Sequence, residues 1–569
     1  MEELYKTPWK DFMGEVPMHL DYFQGMMVEC LEHIAEKYPN ITALNFMHSN
    51  ISFKELVNNI HRTAIAFQQL GLKEGDHVVI AMPNCPQGIY AFYAVNLIGG
   101  IAHMIHPLSA EKEVLFYIQD SKCKLVLTIN AFYGKFLSAI KEGKVKYFLI
   151  ADLIDVLNPL MKFGYQITTG RKITKVPKDG TAILWRNFIK NGHGHELVRV
   201  HKDKDETAVV LYSGGTTGTS KGIALTNFNM NALAAQILAT NPMFRVGDTM
   251  LAAMPLFHGF GLGVCIHAFL CAGGTSVLVP RFTADSYSKL VVKLRCNFIA
   301  GVPTLYEALT RTKVMNHADL SSLKGVFSGG DSLSIELKKK FDKFLKDHNA
   351  SIQIREGYGT TECVTASCLT PVDMSKEGSI GIPFPDTYYK IVKPDTDEEL
   401  PYGEEGEIVL AGPTVMKEYT NHPKETADTL HKDEHGTIWL HTGDLGYMDD
   451  QGFIYFKGRI KRLIVTSGYN VYPAQIENII EKHEAVQMSC VIGVPDPYRM
   501  HKVKAYIVLK PGKKPSELLK TSILNHCKKY IAKYAMPREI EFRDDLPKTL
   551  VGKVAYRKLE EEVLAQMKK

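Results

Sequence analysis

The sequence predicts an α/β protein, with a large N-terminal body of two α/β subdomains and a small β-rich subdomain, followed by a small α+β C-terminal unit. Three observations carry that expectation. At roughly 150 residues per domain, a chain of 569 residues is too long for one core. Hydrophobic residues at 45% and charged residues at 23% match a folded globular chain, which excludes disordered, collagen-like and coiled-coil architectures. Amphipathic helical stretches then alternate with short apolar runs, the pattern of helices layered on a sheet with parallel strands.

Each element has a local reason. Ser52 and Glu55 form a capping box, and Phe53, Leu56, Val57, Ile60, Ala64, Phe67 and Leu70 follow at helical spacing, with Gly71 as the stop. A strand over residues 78–82 ends at Pro83, and an apolar helix runs from about Pro86 to Ile98. The polar stretch Asn191 to Glu206 breaks the periodicity and sets a subdomain boundary. Its His193, His195 and His201 read as linker residues rather than metal ligands, because no carboxylate stands at a ligand spacing. From Thr207 to about Pro385 the α/β pattern resumes. Within it, residues 261–280 are long enough to span a bilayer, but His267 and Ala272-Gly273-Gly274-Thr275 interrupt them, so a buried helix followed by a buried strand is expected. From Tyr388 to Gly458 turn signals separate short strands. The expected subdomains are thus 1–206, 207–385 and 386–460, with a C-terminal unit over 461–569.

Composition narrows the function. A formal charge of +5 is modest for this length and argues against nucleic acid as a partner. It is unevenly placed: residues 462–569 carry 20 Lys plus Arg against 12 Asp plus Glu, a charge of +8 that leaves −3 for residues 1–461. Ten cysteines without a C-x-x-C pair read as reduced thiols, consistent with a cytoplasmic location. The N-terminal segment mixes acids and bases before any apolar run and does not read as a secretory signal. Peripheral membrane contact stays open, and the oligomeric state is not readable.

The densest chemical signal runs from Val209 to Gly222. An apolar strand enters a loop containing Ser213, Gly214, Gly215, Thr216, Thr217, Gly218, Thr219, Ser220 and Lys221. Glycines let backbone N–H groups surround an anion, hydroxyls add donors, and lysine adds charge, so polyphosphate is the expected ligand. The loop is not a P-loop, because Lys221 precedes Gly222 rather than Ser or Thr. No G-x-G-x-x-G occurs in it, which argues against a dinucleotide fold.

This loop resembles the phosphate loop of the adenylate-forming superfamily. Six further segments match that family in order: Pro255-Leu256-Phe257-His258, Ser328-Gly329-Gly330, Glu356 to Glu362, His441-Thr442-Gly443-Asp444, Gly458-Arg459 and Pro547 to Lys553. The resemblance covers most of the chain and is nearest to fatty acyl-CoA ligases. It implies an ATP-dependent ligase that joins a carboxylic acid to AMP and then to CoA, releasing pyrophosphate and AMP. A medium- or long-chain fatty acid is the implied substrate, with ATP and CoA as co-substrates and Mg²⁺ as cofactor.

Roles follow by resemblance. The 213–221 loop would hold the β- and γ-phosphates, and Glu362, with Ser213 or Thr217, would coordinate Mg²⁺. Thr361 would bond the α-phosphate, and Lys553 would bridge carboxylate and α-phosphate. Gly329, Gly330, Asp331, Glu356, Gly357, Tyr358 and Gly359 would frame adenine, Asp444 would accept the ribose hydroxyls, and Arg459 would fix ribose and phosphate. His258 would gate the acyl pocket. The C-terminal unit would be a mobile lid hinged at Lys461, bringing Ser467, Gly468 and Tyr469 to the CoA tunnel. Two positions depart from the family pattern: Tyr556 stands where arginine is usual, and Met500-His501-Lys502 replaces a commoner Gly-Glu pair. Two alternatives stand beside this reading, an acyl-AMP ligase that loads a carrier protein and a nucleotide-binding homologue without catalysis.

Overall fold

The structure is a computed structural model that describes residues 4–157, 161–162, 176–177, 179–213, 220–466, 469–496, 498–549 and 552–567. Among the described residues, two large sheets form the body. In the first, Thr207–Ser213, Ile101–Met104, His77–Ala81, Leu125–Ile129 and Tyr147–Ala151 follow one another as parallel neighbours, and Lys221–Thr226 returns antiparallel beside Thr207–Ser213. In the second, Thr249–Ala252, Thr275–Leu278, Phe298–Gly301, Gly325–Ser328 and Ile354–Tyr358 form the parallel centre, and the hairpin Thr42–Phe46/Ser49–Ser52 closes one edge.

Sheet membership therefore crosses the sequence boundary at 206. Strands on its C-terminal side complete the first sheet, and a hairpin on its N-terminal side completes the second. A polar linker marks where periodicity stops, but parallel neighbours are chosen by how crossover helices pack, which no local pattern records. The linker itself lies against the first two helices: Arg199 pairs with Glu32, and Gln68 exchanges hydrogen bonds with the Val198 backbone.

Helices sandwiched in the body lack a polar face. Pro86–Leu97 is buried along its whole length, as an apolar-all-round helix requires. The stretch flagged as long enough for a bilayer is a π-helical run, Phe260–His267, continuing as Ala268–Cys271 and leading to the buried strand Thr275–Leu278. Gly261 is obligatory there, because a Cβ would sit 2.1 Å from the Pro255 carbonyl. Among the described residues no helix is long and apolar enough to cross a membrane.

The β-rich unit is an antiparallel sheet of Tyr388–Val392, Gly406–Ala411, Leu430–Lys432, Ile438–Met448 and Ile454–Arg459. It is not self-contained. Trp9, Met13 and Met18 from the chain's start pack into its core, and its strand Glu418–Tyr419 leaves to pair with Lys221–Thr226 of the first body sheet. The C-terminal unit is built on the ladder Val486–Asp496/Met500–Leu509, with Glu539–Arg543 in parallel and helices Pro473–Glu481, Glu517–Cys527 and Tyr556–Met567 around it. Pro473 opens its helix at the first position, where a missing N–H costs nothing.

Candidate active site

One wall of the central cleft comes from sheet register. Asp444 and Arg459 stand directly opposite each other on Ile438–Met448 and Ile454–Arg459, with Arg459 Nε 3.3 Å from Asp444 Oδ1. Tyr358, at the end of Ile354–Tyr358, donates its hydroxyl to Asp444 Oδ2 at 2.7 Å. Asp444 is 1% exposed, and burial raises its pKa while the Arg459 charge opposes the rise. Asp444 Oδ1 accepts no hydrogen bond despite its burial. Its nearest charge is the Arg459 guanidinium, so it keeps the capacity to accept a hydrogen bond.

The turn beside it is held from behind. Glu356 Oε1 accepts the Leu333 N–H at 3.0 Å, and burial pushes the Glu356 carboxyl up to about 8. Its carboxylate is thus committed to the 331–333 turn, and the surface of the cleft is formed by Gly329, Gly330, Gly357 and Gly359. Gly330 has φ +80° and Gly359 could not carry a side chain, since a Cβ would meet the Thr365 carbonyl at 2.4 Å. These glycines let a flat group lie against backbone.

At the phosphate end, Gly214, Gly215, Thr216, Thr217, Gly218 and Thr219 lie outside the described residues. Both ends of their loop are positioned: Ser213 pairs in register with Lys221, and Ser213's strand packs on the short turn Thr361–Cys363 that carries Thr361 and Glu362. Tyr212 is gripped by Asp120 (3.2 Å) and by His103 (2.9 Å), and His103 is backed by His77 at 2.7 Å. Glu362 Oε1 accepts the Tyr419 hydroxyl at 2.7 Å, and the Lys221 ammonium lies 4.8 Å from the Tyr419 ring centre. Tyr419 was not singled out from sequence; it reaches the site only because Glu418–Tyr419 crosses to the other sheet. The Glu362 carboxylate and the Ser213 hydroxyl are hard oxygen donors, and they fit a Mg²⁺ ion.

The C-terminal unit delivers Lys553. Thr304 of the body donates to the Gly552 carbonyl at 3.2 Å, and a Cβ on Gly330 would sit 3.4 Å from Lys553 Cε and 3.7 Å from Nζ. Burial lowers the Lys553 pKa, Arg459 lowers it further, and Asp331 and Asp444 oppose. Lys553 and Arg459 share one cleft with the apolar side chains of Ile237, Phe260, Val264, Phe327, Leu369 and Phe384 on its walls. His258 and Thr361 also line it. The Phe260 N–H donates to His258 Nδ1 at 3.1 Å, which leaves Nε2 to carry the proton of the neutral ring. Burial, with Lys553 nearby, holds His258 down at about 3.

Lys461 is exposed in the short turn Ile460–Arg462 that joins body to C-terminal unit. Ser467 and Gly468 lie outside the described residues, and Tyr469 is exposed and stacked on Tyr534 at 4.4 Å. Tyr556 places its ring 4.7 Å from the Arg462 guanidinium, so the position where arginine is usual holds an aromatic partner for an arginine two residues beyond the Gly458-Ile460 stretch. Met500 adopts φ +69° and is exposed.

Comparison with known proteins gives the same reading independently. Residues 31–420 match the AMP-binding enzyme family and residues 475–553 the AMP-binding enzyme C-terminal domain. A long-chain-fatty-acid–CoA ligase of Bacillus subtilis (strain 168) is 34% identical over 568 residues, covering 98% of each chain. ATP-bound MatB from Rhodopseudomonas palustris superposes with a TM-score of 0.79 at 25% identity, over 94% of this chain and 98% of that one. An anthranilate CoA ligase in complex with anthranoyl-AMP gives a TM-score of 0.82 at 24% identity over 98% and 99%, which shows the shared fold. These full-length matches lead to one assignment: the chain belongs to the AMP-binding, adenylate-forming enzyme family, in its acyl-CoA ligase branch.

Proposed function

We propose that this enzyme activates a long-chain fatty acid with ATP and passes the acyl group to CoA. The observation that carries the reading is that Lys553 and Arg459, the ion-pair partner of buried Asp444, line one cleft together with apolar side chains. In the first step a carboxylate oxygen bonds to the α-phosphorus of ATP and the bond to pyrophosphate breaks. Two anions must meet, so charge neutralisation and alignment matter more than a base. Asp444 accepts the ribose hydroxyls through its unbonded oxygen, and Arg459 sits between ribose and phosphate. Thr361 donates to the α-phosphate, and Lys553 bridges it to the carboxylate. Glu362, steadied by Tyr419, and Ser213 hold Mg²⁺, which offsets phosphate charge when bound. Tyr212 and Lys221 fix the two ends of the phosphate loop.

In the second step the CoA sulfur bonds to the acyl carbon, the carbon–oxygen bond to AMP breaks, and the thiol proton leaves to solvent. Rotation about Lys461 withdraws Lys553 and brings the 467–469 loop to the cleft. Neutral His258, which lines the same cleft, gates the acyl chain without adding a charge that would oppose Lys553. The apolar lining favours an alkyl chain over an amino acid, whose ammonium would need a carboxylate that the walls of this pocket do not offer. The test is pyrophosphate release by the purified protein across fatty, aryl and amino acids, with and without CoA. Acyl-CoA formed from long-chain acids alone supports the proposal; release without any CoA dependence of thioester product, or preference for amino acids, overturns it.

A further inference from the structure

A second polar cluster lies outside the cleft, on the outer side of the β-rich unit. Asp397, in the turn after Tyr388–Val392, places Oδ1 2.8 Å from His431 Nδ1 and 3.0 Å from His441 Nε2. His431 sits on Leu430–Lys432 and His441 on the adjacent Ile438–Met448, and their rings lie 4.0 Å apart. All three donor atoms fall within 4.8 Å of one another. The second nitrogen of His441, Nδ1, faces Glu407 Oε2 at 3.0 Å, and both side chains are under 10% exposed.

Donor counting makes this arrangement incomplete as a set of hydrogen bonds to a neutral ring. A neutral imidazole has one N–H. If His441 Nδ1 donates to Glu407, the Nε2 lone pair points at a carboxylate oxygen 3.0 Å away, and either a proton on Nε2 or a bound cation reconciles the two acceptors. A ligating histidine whose other nitrogen donates to a buried carboxylate is the usual way a protein fixes ring orientation for a metal. Two imidazoles and one carboxylate are a Zn²⁺ donor set with a fourth position for water. Zinc–ligand bonds of about 2.0 Å place ligand atoms about 3.3 Å apart, so the 2.8 and 3.0 Å separations from Asp397 Oδ1 need open by only a few tenths of an ångström.

We propose that Asp397, His431 and His441 form a Zn²⁺ site, with Glu407 orienting His441. The site is wired to the nucleotide cleft. Glu407 uses its other oxygen, Oε1, to accept the Gly443 N–H at 2.8 Å, and Gly443, at φ +69°, sets the turn immediately before Asp444. Bound zinc stiffens the strand that carries the ribose acceptor.

The test uses the full-length protein freed of metal by chelation and titrated with Zn²⁺ against a chromophoric chelator. One equivalent is expected to bind in the wild type, at least ten-fold weaker in Glu407→Gln, and not above background in His431→Ala or Asp397→Asn. Asp397 is exposed, so Asp397→Asn leaves folding intact and keeps the comparison valid if His431→Ala proves unstable. Co²⁺ in place of zinc should give a nitrogen and oxygen ligand-field spectrum without thiolate charge-transfer bands. Equal zinc uptake by wild type and Asp397→Asn, thiolate bands, or no binding at all would overturn the site and leave His441 as an imidazolium clamped between two carboxylates.

Discussion

The two sides of the cleft are built by opposite means. On the body side, Asp444 is buried and set opposite Arg459 by sheet register, with the Tyr358 hydroxyl donating to it. On the lid side, Lys553 comes from a unit with its own core, and the Thr304 to Gly552 hydrogen bond is a backbone-directed contact at its doorstep. Groups needed in both chemical steps can be permanent, whereas a charge needed in only one is better delivered and withdrawn. The charge distribution fits the proposal: the +8 of residues 462–569 belongs to the unit proposed to close on polyphosphate, and the body carries −3.

The contrast can be broken most sharply at Lys553. Lys553→Ala should reduce carboxylate-dependent pyrophosphate exchange roughly 10²–10³-fold, while thioester formation from supplied acyl-adenylate stays near wild type. Normal exchange would refute the role. Asp444→Asn tests the permanent side and should impair both half-reactions, raising the KM for ATP about ten-fold or more through loss of a charged hydrogen-bond acceptor; a defect confined to one half-reaction would count against a fixed ribose site.

A milder test lies where the two sides meet. Asp331 supports the Lys553 charge against burial, so Asp331→Asn should move the alkaline limb of the pyrophosphate-exchange profile to lower pH. The loss should grow with pH along that limb and be absent on its acidic side, where the lysine stays protonated in either protein. An unshifted limb would remove Asp331 from that role. The smallest effect is expected at Glu356. Its folded pKa is raised to about 8, so its contribution to stability is fully present below the ordinary glutamate value and is lost as pH rises through about 8. Glu356→Gln cannot ionise and still offers an oxygen to Leu333. Its melting temperature should match wild type at acidic pH and exceed it by roughly 2 °C at pH 8 and above, as read by scanning calorimetry across pH.

Much of the body was legible locally. The Ser52 and Glu55 capping box opens the helix Phe53–Gln69, and Gly71 follows it at φ +81°. The run from Gly261 folds as helix and then strand because a polar histidine and paired glycines interrupt an otherwise apolar stretch. Tyr419 and the Asp397, His431 and His441 cluster were not legible in the same way. Each depends on a strand's choice of distant neighbour, and a tyrosine or histidine in a short polar strand carries no mark of what it will face.

The sequence by itself determined the chemistry: which residue types stand in which order, a glycine-rich donor loop, acids and bases spaced as in adenylate-forming enzymes, and a basic C-terminal unit. Those features are properties of adjacent residues and of composition, so they survive without coordinates. Tertiary structure alone decided that Asp444 faces Arg459 in register, that Glu356 serves a turn rather than the cleft surface, that Tyr419 crosses sheets to hold Glu362, and that strands on both sides of residue 206 complete each other's sheets. The physical reason is common to all four. Side-chain partners in a sheet are set by pairing and crossover packing between segments far apart in the chain, and that free energy appears only when the whole core is assembled.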